Sequence, residues 1–502
     1  MIRPLLLTVL LLSHTAAAIA QLGSMEQIDT ATFAEMREIE RYQLKIAEKY
    51  YLKGEYKIAL DEYEKFLTLY ENSPGAPYAQ LMWSHCLVKQ RMVNTAIRDG
   101  FRSVIDYWPG SREATQAAYL IASAFRSIGE TENAERSYIE VINSHPDDIV
   151  ATLSRVDLLQ IARTKGDTKR KLELLSALAY ETERDAANAE HAVNATRELA
   201  SYYFREAQFD EGVKALQTTY EDQALVQQIS ALASEAAGDL YSREETRQKA
   251  TSLGDAVISL LEKNIPADLS VGASRALARG YWSRIAATYS RTGRDKQTLA
   301  TFERMIKVLG QDDELLAGLA EWYKSQEQRE LARETYLRFE NQISAKNQIA
   351  TMWREESRWE QAITTYRELL VEDPAQVAAY HWAIAECHEA DGKFSLAIRS
   401  YEKSDQAPDS YFRMARCHRK LEQFSEAESL YKFVRAHHVG PAPEASIQLA
   451  RTYEEWGKRE SAIKTYQLTC KNFPKSPQAS QSHSHLQSKY GINITLGGAK
   501  DD

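Results

Sequence analysis

The fold of this chain is decided by a repeated pattern that is clearest near its C-terminus, where residues 450–474 read ARTYEEWGKRESAIKTYQLTCKNFP. Ala450 and Tyr453 stand three residues apart, and Ala462 and Tyr466 stand four apart, so each pair lies on one face of a helix. A glycine between the pairs breaks the chain without a β-carbon penalty. The stretch therefore predicts two antiparallel helices, whose small residues allow close approach and whose rings fill the remaining space.

The same residue types return along the chain at matching positions. With Ala462 as the marker, consecutive spacings are 37 and 38 residues in a first group, then 30, 35, 30 and 35 in a second. The markers are Ala59, Ala96, Ala134, Ala332, Ala362, Ala397, Ala427 and Ala462, with degenerate copies at Gly212 and Thr298. The aromatic residues four positions later are Tyr63, Tyr138, Phe302, Tyr336, Tyr366, Tyr401, Tyr431 and Tyr466. The glycines five positions earlier are Gly54, Gly129, Gly293, Gly392 and Gly457.

This recurrence predicts a stack of helix pairs over most of the chain. Each pair exposes an apolar face that only its neighbours can cover, so stability grows along the stack. Glycine (21) and proline (12) are scarce among 502 residues, which favours long helices over a turn-rich β protein.

The pattern resembles the tetratricopeptide repeat (TPR) family, and residues 450–474 match the family pattern nearly position by position. The resemblance covers roughly residues 40–485 in about ten to twelve units. It implies an all-α fold, a right-handed superhelical solenoid of stacked antiparallel helix pairs. It weakens between residues 150 and 280, where Lys171 occupies a marker position and the period drifts. Helices are still expected there, in longer units or around a bend.

A finer resemblance concerns the links between units, of the form aromatic-Pro-x-Ser. In two of them Ser111 and Ser476 are suited to cap the next helix, and Pro477 is suited to its first position. Such links are similar to those of bacterial envelope TPR proteins, namely the lipoprotein of the outer-membrane assembly machine and the periplasmic cell-division coordinator. This is an analogy of fold.

The first 20 residues are typical of a secretory signal peptide. Arg3 is followed by the apolar run Leu5 to Leu12 and by small residues ending at Ala20. The expected location is the periplasm or the outer side of the cell envelope; an uncleaved anchor is the alternative. No later segment approaches the roughly 20 apolar residues of a spanning helix, so no stable membrane insertion is expected after cleavage. The expected organisation is 1–20 signal peptide, 21–39 lead-in helix, 40–149 N-terminal TPR array, 150–280 degenerate helical repeats, 281–485 C-terminal TPR array and 486–502 disordered tail.

Composition and motifs narrow the function. The formal net charge of −9 repels phosphate backbones and argues against nucleic acid as a partner. No phosphate loop, nucleophile elbow or two-histidine zinc helix is present, so neither catalysis nor a cofactor is expected. The leading hypothesis is a scaffold that binds proteins or peptide segments in envelope assembly, secretion or cell-wall coordination. Two alternatives remain: a carbohydrate-associated scaffold of exopolysaccharide export, whose 27 tyrosines stack on sugars, and an enzyme with its site within residues 150–280.

Four cysteines are present in a chain expected to enter an oxidising compartment. Cys86, Cys387 and Cys417 occupy the same slot in three units. Equivalent points on neighbouring stacked helices are about a helix diameter apart and beyond disulfide reach, so no bond is expected between Cys387 and Cys417. Free, buried thiols are therefore expected there. The Cys387-His388 and Cys417-His418 pairs invite a metal hypothesis, but adjacent helical residues point about 100° apart and cannot easily share one ion.

The family resemblance implies a concave groove lined by the first helix of every unit. In the unit marked by Ala427 the inward residues include an aromatic and three cations that could hold a peptide carboxylate or an acidic segment. The residues of this predicted basic groove are Asp409, Phe412, Arg416, Arg419 and Lys420, extended by Arg451. Glu386 and Glu389 hold the same slots one unit earlier, so the alternative is that charges on neighbouring helices neutralise one another.

Two earlier units also place aromatic residues with arginines in the inferred groove, the usual composition of binding hot spots. The first contributes Gln116, Tyr119 and Arg126, and the second contributes Arg197, Phe204 and Arg205.

Overall fold

Every regular element of the described residues is a helix. The computed structural model describes Ile28 and residues 30–494. Its α-helices are α1 Thr30–Glu35, α2 Glu38–Leu52, α3 Tyr56–Leu69, α4 Ala76–Lys89, α5 Val93–Thr95, α6 Arg102–Tyr107, α7 Arg112–Ser127, α8 Thr131–Ser144, α9 Ile149–Lys165, α10 Thr168–Ser176, α11 Ala189–Arg205, α12 Phe209–Gln217, α13 Asp222–Tyr241 and α14 Arg247–Lys263. They continue as α15 Gly272–Arg291, α16 Asp295–Leu309, α17 Asp313–Ser325, α18 Arg329–Tyr336, α19 Gln342–Glu355, α20 Trp359–Glu372, α21 Val377–Ala390, α22 Phe394–Glu402, α23 Asp409–Lys420, α24 Phe424–His437, α25 Ala442–Glu455, α26 Arg459–Asn472 and α27 Pro477–Tyr490.

Within each of the two units described below, consecutive helices pack as antiparallel pairs, and pairs pack on their neighbours. The all-α class and the repeat of stacked helix pairs are therefore confirmed. The expected signal peptide (1–20) and the end of the expected tail (495–502) lie outside the described residues. The last helix runs to Tyr490, five residues beyond the expected end of the array at 485. None of the described helices combines the length and apolarity needed to cross a membrane.

The chain divides into two units, residues 1–298 and 299–502. In the second unit, α17/α18, α19/α20, α21/α22, α23/α24 and α25/α26 are the helix pairs, and α27 packs on α26 without a partner of its own among the described residues. We call the first helix of a pair the A helix and the second the B helix. This regular unit carries the main candidate site.

The marker alanines and the rings four residues later form the core of each pair. Ala362, Ala397 and Ala462 have no exposed surface, and Tyr401 and Tyr466 are at most 1% exposed. Burial of such a ring contributes roughly 1.5–3 kcal/mol, and the absence of side-chain bulk at the alanine leaves room for it. The tyrosines expected to fill the space between helices do so.

The turns that precede a marker residue all use a left-handed residue five positions before that marker. Six of the copies have glycine, including Gly166 before Lys171, with φ between +67° and +81°. The remaining copies force other residues into this conformation, with φ between +57° and +64°: Arg91, Ala207, Glu327, Ser357 and Glu422. The turn geometry is thus a property of the repeat, and glycine is its unstrained form.

The first unit departs from the regular pairs where the sequence period drifts. Its α13 and α15 are 20 residues long, and α13, α14 and α15 all pack on one another. π-helical turns at Ala96–Phe101 and Ala177–Glu181 interrupt its regular helices. At one degenerate marker, a β-carbon on Gly212 would lie 2.3 Å from the Phe204 ring, so glycine replaces alanine there because the ring occupies the space.

The expected caps and cysteine states are present. The Ser111 and Ser476 hydroxyls accept hydrogen bonds from backbone N–H groups of the helices they precede, at 3.1 Å each. All four cysteines are free and buried. Burial raises the pKa of the Cys86 and Cys417 thiols to about 12, so they are protonated and unreactive as nucleophiles. No cluster of metal-ligating side chains occurs within residues 30–494.

Candidate peptide-binding cleft

A surface recess of the second unit lies where three A helices and two B helices meet. It is an open cleft of about 830 Å³. Thr351, Arg354 and Glu355 of α19, Glu386, Glu389 and Ala390 of α21, and Arg413, Arg416 and Lys420 of α23 line it, with Trp359 and Phe394 at the starts of α20 and α22. The lining is therefore charged along the A helices and aromatic at the B-helix starts.

A ladder of ion pairs connects the three A helices across the cleft. Arg354 Nη2 lies 2.8 Å from Glu386 Oε2, and Arg413 Nη2 lies 3.6 Å from Glu386 Oε1. On the next rung, Arg416 Nε donates to Glu389 Oε1 at 2.8 Å, while Arg413 Nη1 lies 3.4 Å from Glu389 Oε2. The charges on neighbouring helices pair with one another, in agreement with the neutralisation alternative.

The ion pairs of this ladder are also connected to the core by a hydrogen bond. The Tyr401 hydroxyl donates to Glu389 Oε2 at 2.7 Å, so the carboxylate at the cleft wall is held by a buried ring of its own helix pair. A carboxylate held from both sides keeps one rotamer, and the cleft wall is ordered before any ligand arrives.

Trp359 and Phe394 are two cleft residues that sequence reasoning missed. Both are half-buried and stand three positions before their markers. A signal for them exists in the sequence, because Tyr56, Phe209 and Phe424 recur at the same offset. Phe424 stacks on Trp456 with ring centroids 5.8 Å apart, so the aromatic column continues beyond the cleft.

The predicted basic groove is only partly open. Phe412 is half-buried and packs on Tyr431, and Arg419 donates to Glu455 Oε2 at 2.8 Å and to Gln448 at 3.0 Å. Arg416 lines the cleft but is paired, as described above. Lys420 lines it too, is exposed, and has no ion pair within 4.0 Å among the described residues.

Arg451 lies in a second, separate recess of about 560 Å³ between α25 and α27. Besides Ile447 and Tyr466, its lining is a row of uncharged side chains and one histidine from α27: Ser480, Gln481, Ser484, His485 and Ser488. Of the six predicted groove residues, Arg416 and Lys420 thus line the cleft and Arg451 lines the second recess, whereas Asp409, Phe412 and Arg419 line neither.

The prediction for the early unit is wrong for Tyr119. Its ring is 1% exposed, and its hydroxyl donates to the buried Asp157 Oδ2 at 2.9 Å. The Tyr138 hydroxyl donates to the same oxygen at 2.9 Å, and Arg126 forms an ion pair with Asp157. Gln116 is buried as well. These groups lie in the core because they bind the Asp157 carboxylate of α9. The repeat pattern of the sequence could not predict that contact.

Of the three groove residues predicted in the second early unit, one is buried and two are exposed. Phe204 is fully buried against Gly212, so its placement in the groove is wrong: the missing methyl group at the degenerate marker opens a core position that the ring fills. Arg197 and Arg205 are exposed, and Arg205 Nε lies 3.8 Å from Asp239 Oδ2. No aromatic hot spot results in this unit.

The tyrosines that a sugar-binding hypothesis requires are mostly packing residues. The largest fully buried side chains include Tyr63, Tyr119, Tyr138, Tyr336, Tyr401, Tyr431 and Tyr466. Within residues 30–494, no specific feature favours carbohydrate over protein ligands.

The fold and the cleft define a scaffold-type protein-interaction fold, and the comparisons with known proteins agree. Tetratricopeptide repeat models match residues 354–411, 116–148 and 444–476. The first of these segments contains most of the charged cleft wall. A comparison with curated protein sequences finds no match.

Three solved structures illustrate the similarity. The structure of Naa15/Naa10 bound to HypK-THB matches at 13% identity and a TM-score of 0.39, covering 90% of this chain and 71% of that one. PilW, a widely conserved type IV pilus biogenesis factor, matches at 16% identity and 0.29, covering 40% and 96%. Pseudomonas aeruginosa PilF matches at 17% identity and 0.27, covering 42% and 99%. At these values the similarity carries no information about function.

Proposed function

We propose that this chain is an exported, non-catalytic TPR scaffold that binds an extended segment of a partner protein in the cleft formed by α19, α21 and α23. The observation that carries the proposal is the cleft itself: an open recess with a paired-charge wall and the two half-buried rings of Trp359 and Phe394. Aromatic and arginine side chains together are the usual anchors of protein recognition.

The lining indicates the kind of segment that fits. Trp359 and Phe394 offer apolar surface to one hydrophobic side chain of the partner, and Lys420 offers a cation that is free of internal ion pairs. An acidic residue near a hydrophobic one satisfies both. The ladder arginines can add hydrogen bonds at their free N–H groups without first breaking their internal pairs.

The setting of the function rests on the sequence alone. The secretory signal pattern of residues 1–20 and the aromatic-Pro-x-Ser links support export to the periplasm or the outer side of the cell envelope. Envelope assembly, secretion or cell-wall coordination are the proposed processes. The link resemblance extends the proposal to the class of bacterial envelope TPR proteins.

The test is site-specific photo-crosslinking in cells. A photoreactive phenylalanine analogue replaces Phe394 in the cleft, and a matched control replaces Phe433, which is 41% exposed on α24 and does not line the cleft. The proposal expects a discrete protein adduct from position 394 and none of that adduct from 433. Equal adducts from both positions, or none from 394 in a folded protein, would contradict the cleft as the binding site.

A charge variant sharpens the result. Lys420→Glu removes the free cation at an exposed position, so folding is retained and capture of the acidic segment falls by roughly five- to tenfold. The matched control is Lys464→Glu, an exposed lysine on α26 outside the cleft. If the Lys420 variant captured the partner as well as the unmodified chain, the partner segment would not need an acidic residue. Binding of a hydrophobic residue by Trp359 and Phe394 would still be tested by the crosslink from position 394.

A further inference from the structure

The first and last long helices of the described chain have opposite surface chemistry. The last helix, α27, exposes Ser480, Gln481, Ser484 and Ser488, the polar face with which helical-repeat proteins commonly end. In contrast, α2 exposes large apolar side chains. Ile39 is 53% exposed, Tyr42 61% and Leu52 74%. Only the six-residue α1 precedes α2 within the described residues, so no helix pair covers this face there.

A row of cations shares that face. Lys45, Lys49 and Lys53 are exposed at four-residue intervals, and none has an ion pair within 4.0 Å among the described residues. At 1.5 Å per residue the row spans about 12 Å. With about 100° per residue, the arc from Leu52 through the lysines to Ile39 covers roughly 140° of the helix.

The net charge of the face is positive, although that of the chain is −9. Glu38 is the one acidic residue in the arc, against three lysines. Two further cations near the start of α2 are already engaged. Arg37, which precedes the helix, pairs with Glu40 at 2.6 Å, and the guanidinium of Arg41 lies 5.4 Å from the centre of the Phe33 ring. The exposed lysines are therefore the cations available to an external anion.

We propose that this face of α2 is a peripheral docking surface for an anionic lipid bilayer. Lysines interleaved with tyrosine and aliphatic side chains suit the boundary between headgroups and acyl chains. The ammonium groups reach the lipid phosphates, and Leu52, Tyr42 and Ile39 enter the interface. The face continues into a recess of about 730 Å³, which widens the contact and whose lining includes one carboxylate beside the three lysines: Phe33, Lys45, Glu48, Lys49, Leu52 and Lys53.

A soluble protein with an acidic, apolar surface is the competing occupant. The bilayer is favoured because the three cations lie in one nearly linear row and are all unpaired. Such a row matches a continuous anionic surface without requiring a complementary pattern of single charges. The inference is independent of the cleft between α19, α21 and α23, since it concerns the first unit only.

The experiment is co-sedimentation of the full chain with vesicles of phosphatidylcholine alone and of phosphatidylcholine mixed with phosphatidylglycerol. Binding is expected only to the anionic vesicles and is expected to weaken with added salt. The variant K45E/K49E/K53E is expected to bind on the order of a hundredfold more weakly, because each lysine near an anionic surface contributes a factor of about five.

The matched control is R102E/K169E/K214E, which makes the same change in net charge at exposed positions of the same unit. It is expected to sediment like the unmodified chain. A third variant, Y42S/L52S, is expected to bind anionic vesicles more weakly with an unchanged salt dependence, which separates insertion from charge. Circular dichroism of each variant verifies that the helices remain.

Three results would overturn the proposal. The first is equal binding to neutral and anionic vesicles, the second is a K45E/K49E/K53E variant that binds like the unmodified chain, and the third is a control that loses as much binding as that variant. Retention of a soluble protein on this face, without any vesicle binding, would assign the surface to a protein partner instead.

Discussion

One arrangement, a repeat tyrosine with a carboxylate and an arginine, occurs in both units with different consequences. In the second unit, the Tyr401 hydroxyl binds Glu389, whose partners Arg413 and Arg416 are 35% and 49% exposed. In the first unit, the Tyr138 hydroxyl binds Asp157, whose partner Arg126 is 35% exposed. The carboxylate itself is 4% exposed in Asp157, compared with 13% in Glu389. The former lines an accessible cleft, whereas the latter is a closed core contact.

The difference arises from which helix supplies the carboxylate. Glu389 and Arg126 stand at the same repeat position, twelve residues before their tyrosines. In the second unit this position holds the carboxylate, and the cations reach it from the next A helix across open space. In the first unit it holds the arginine, and the next helix, α9, supplies Asp157 from the interior. A change of sign at one repeat position thus converts a surface ladder into a buried cluster.

The largest expected effect tests the buried cluster. Asp157→Ala leaves Arg126 without its counter-ion and two tyrosine hydroxyls without their acceptor, at a cost of about 3–5 kcal/mol in unfolding free energy. Glu389→Ala, the equivalent change in the cleft, leaves arginines that water can reach and is expected to cost about 1–2 kcal/mol. Hydrogen exchange measured on α7–α9 and on α21–α23 separates the two. Similar losses of protection in both regions would contradict the difference between the buried cluster and the cleft.

The next effect concerns Glu454, which anchors the terminal helix α27. Burial raises the pKa of Glu454, but hydrogen bonds from Tyr490, His485 and Lys489 outweigh burial and lower the pKa to about 2. Because the pKa in the folded state lies below the ordinary glutamate value of 4.5, the stabilisation is fully present above about pH 4.5 and is lost as pH falls toward 2.

Glu454→Gln should therefore weaken the attachment of α27 by about 1–3 kcal/mol at neutral pH and flatten its dependence on acid. Exchange of α27 amides between pH 5 and 3 measures this. A variant that keeps the acid dependence of the unmodified chain would assign that dependence to another group.

The smallest effect tests whether the turn, rather than its residue, is common to the helix pairs. Gly457→Ala is expected to destabilise its pair by about 1 kcal/mol, because a left-handed φ of +79° strains any side chain. No atom lies within 4 Å of the added β-carbon, so a loss there measures backbone strain alone.

Glu422→Gly makes the opposite change in the neighbouring pair, where φ is +59°. It is expected to alter stability by less than about 0.5 kcal/mol, since the relief of strain is offset by the freedom gained in the unfolded chain. Thermal unfolding of both variants is the measurement. A large loss in Glu422→Gly would mean that the glutamate side chain, and not the turn, stabilises this pair.

The residues themselves determined the helix pairs. Alanine at the marker, tyrosine four residues later and glycine in the turn act through local geometry, so their spacing alone predicted the pairs, the helix caps and the free buried cysteines. The same locality explains why Trp359 and Phe394 could have been found, since their offset from the marker also recurs.

The tertiary structure alone decided which charges face a ligand. Spacing places Tyr119 and Phe204 on an A helix, but only the packed neighbours reveal that Asp157 and the space at Gly212 draw them inward. The arginines of the predicted groove were found correctly as residues, yet their availability depends on Glu386, Glu389 and Glu455 of adjacent helices. The physical reason is the distance in sequence. Helix geometry is set by residues three and four apart, whereas burial and ion pairing are set by residues 8 to 38 positions apart that meet only on folding.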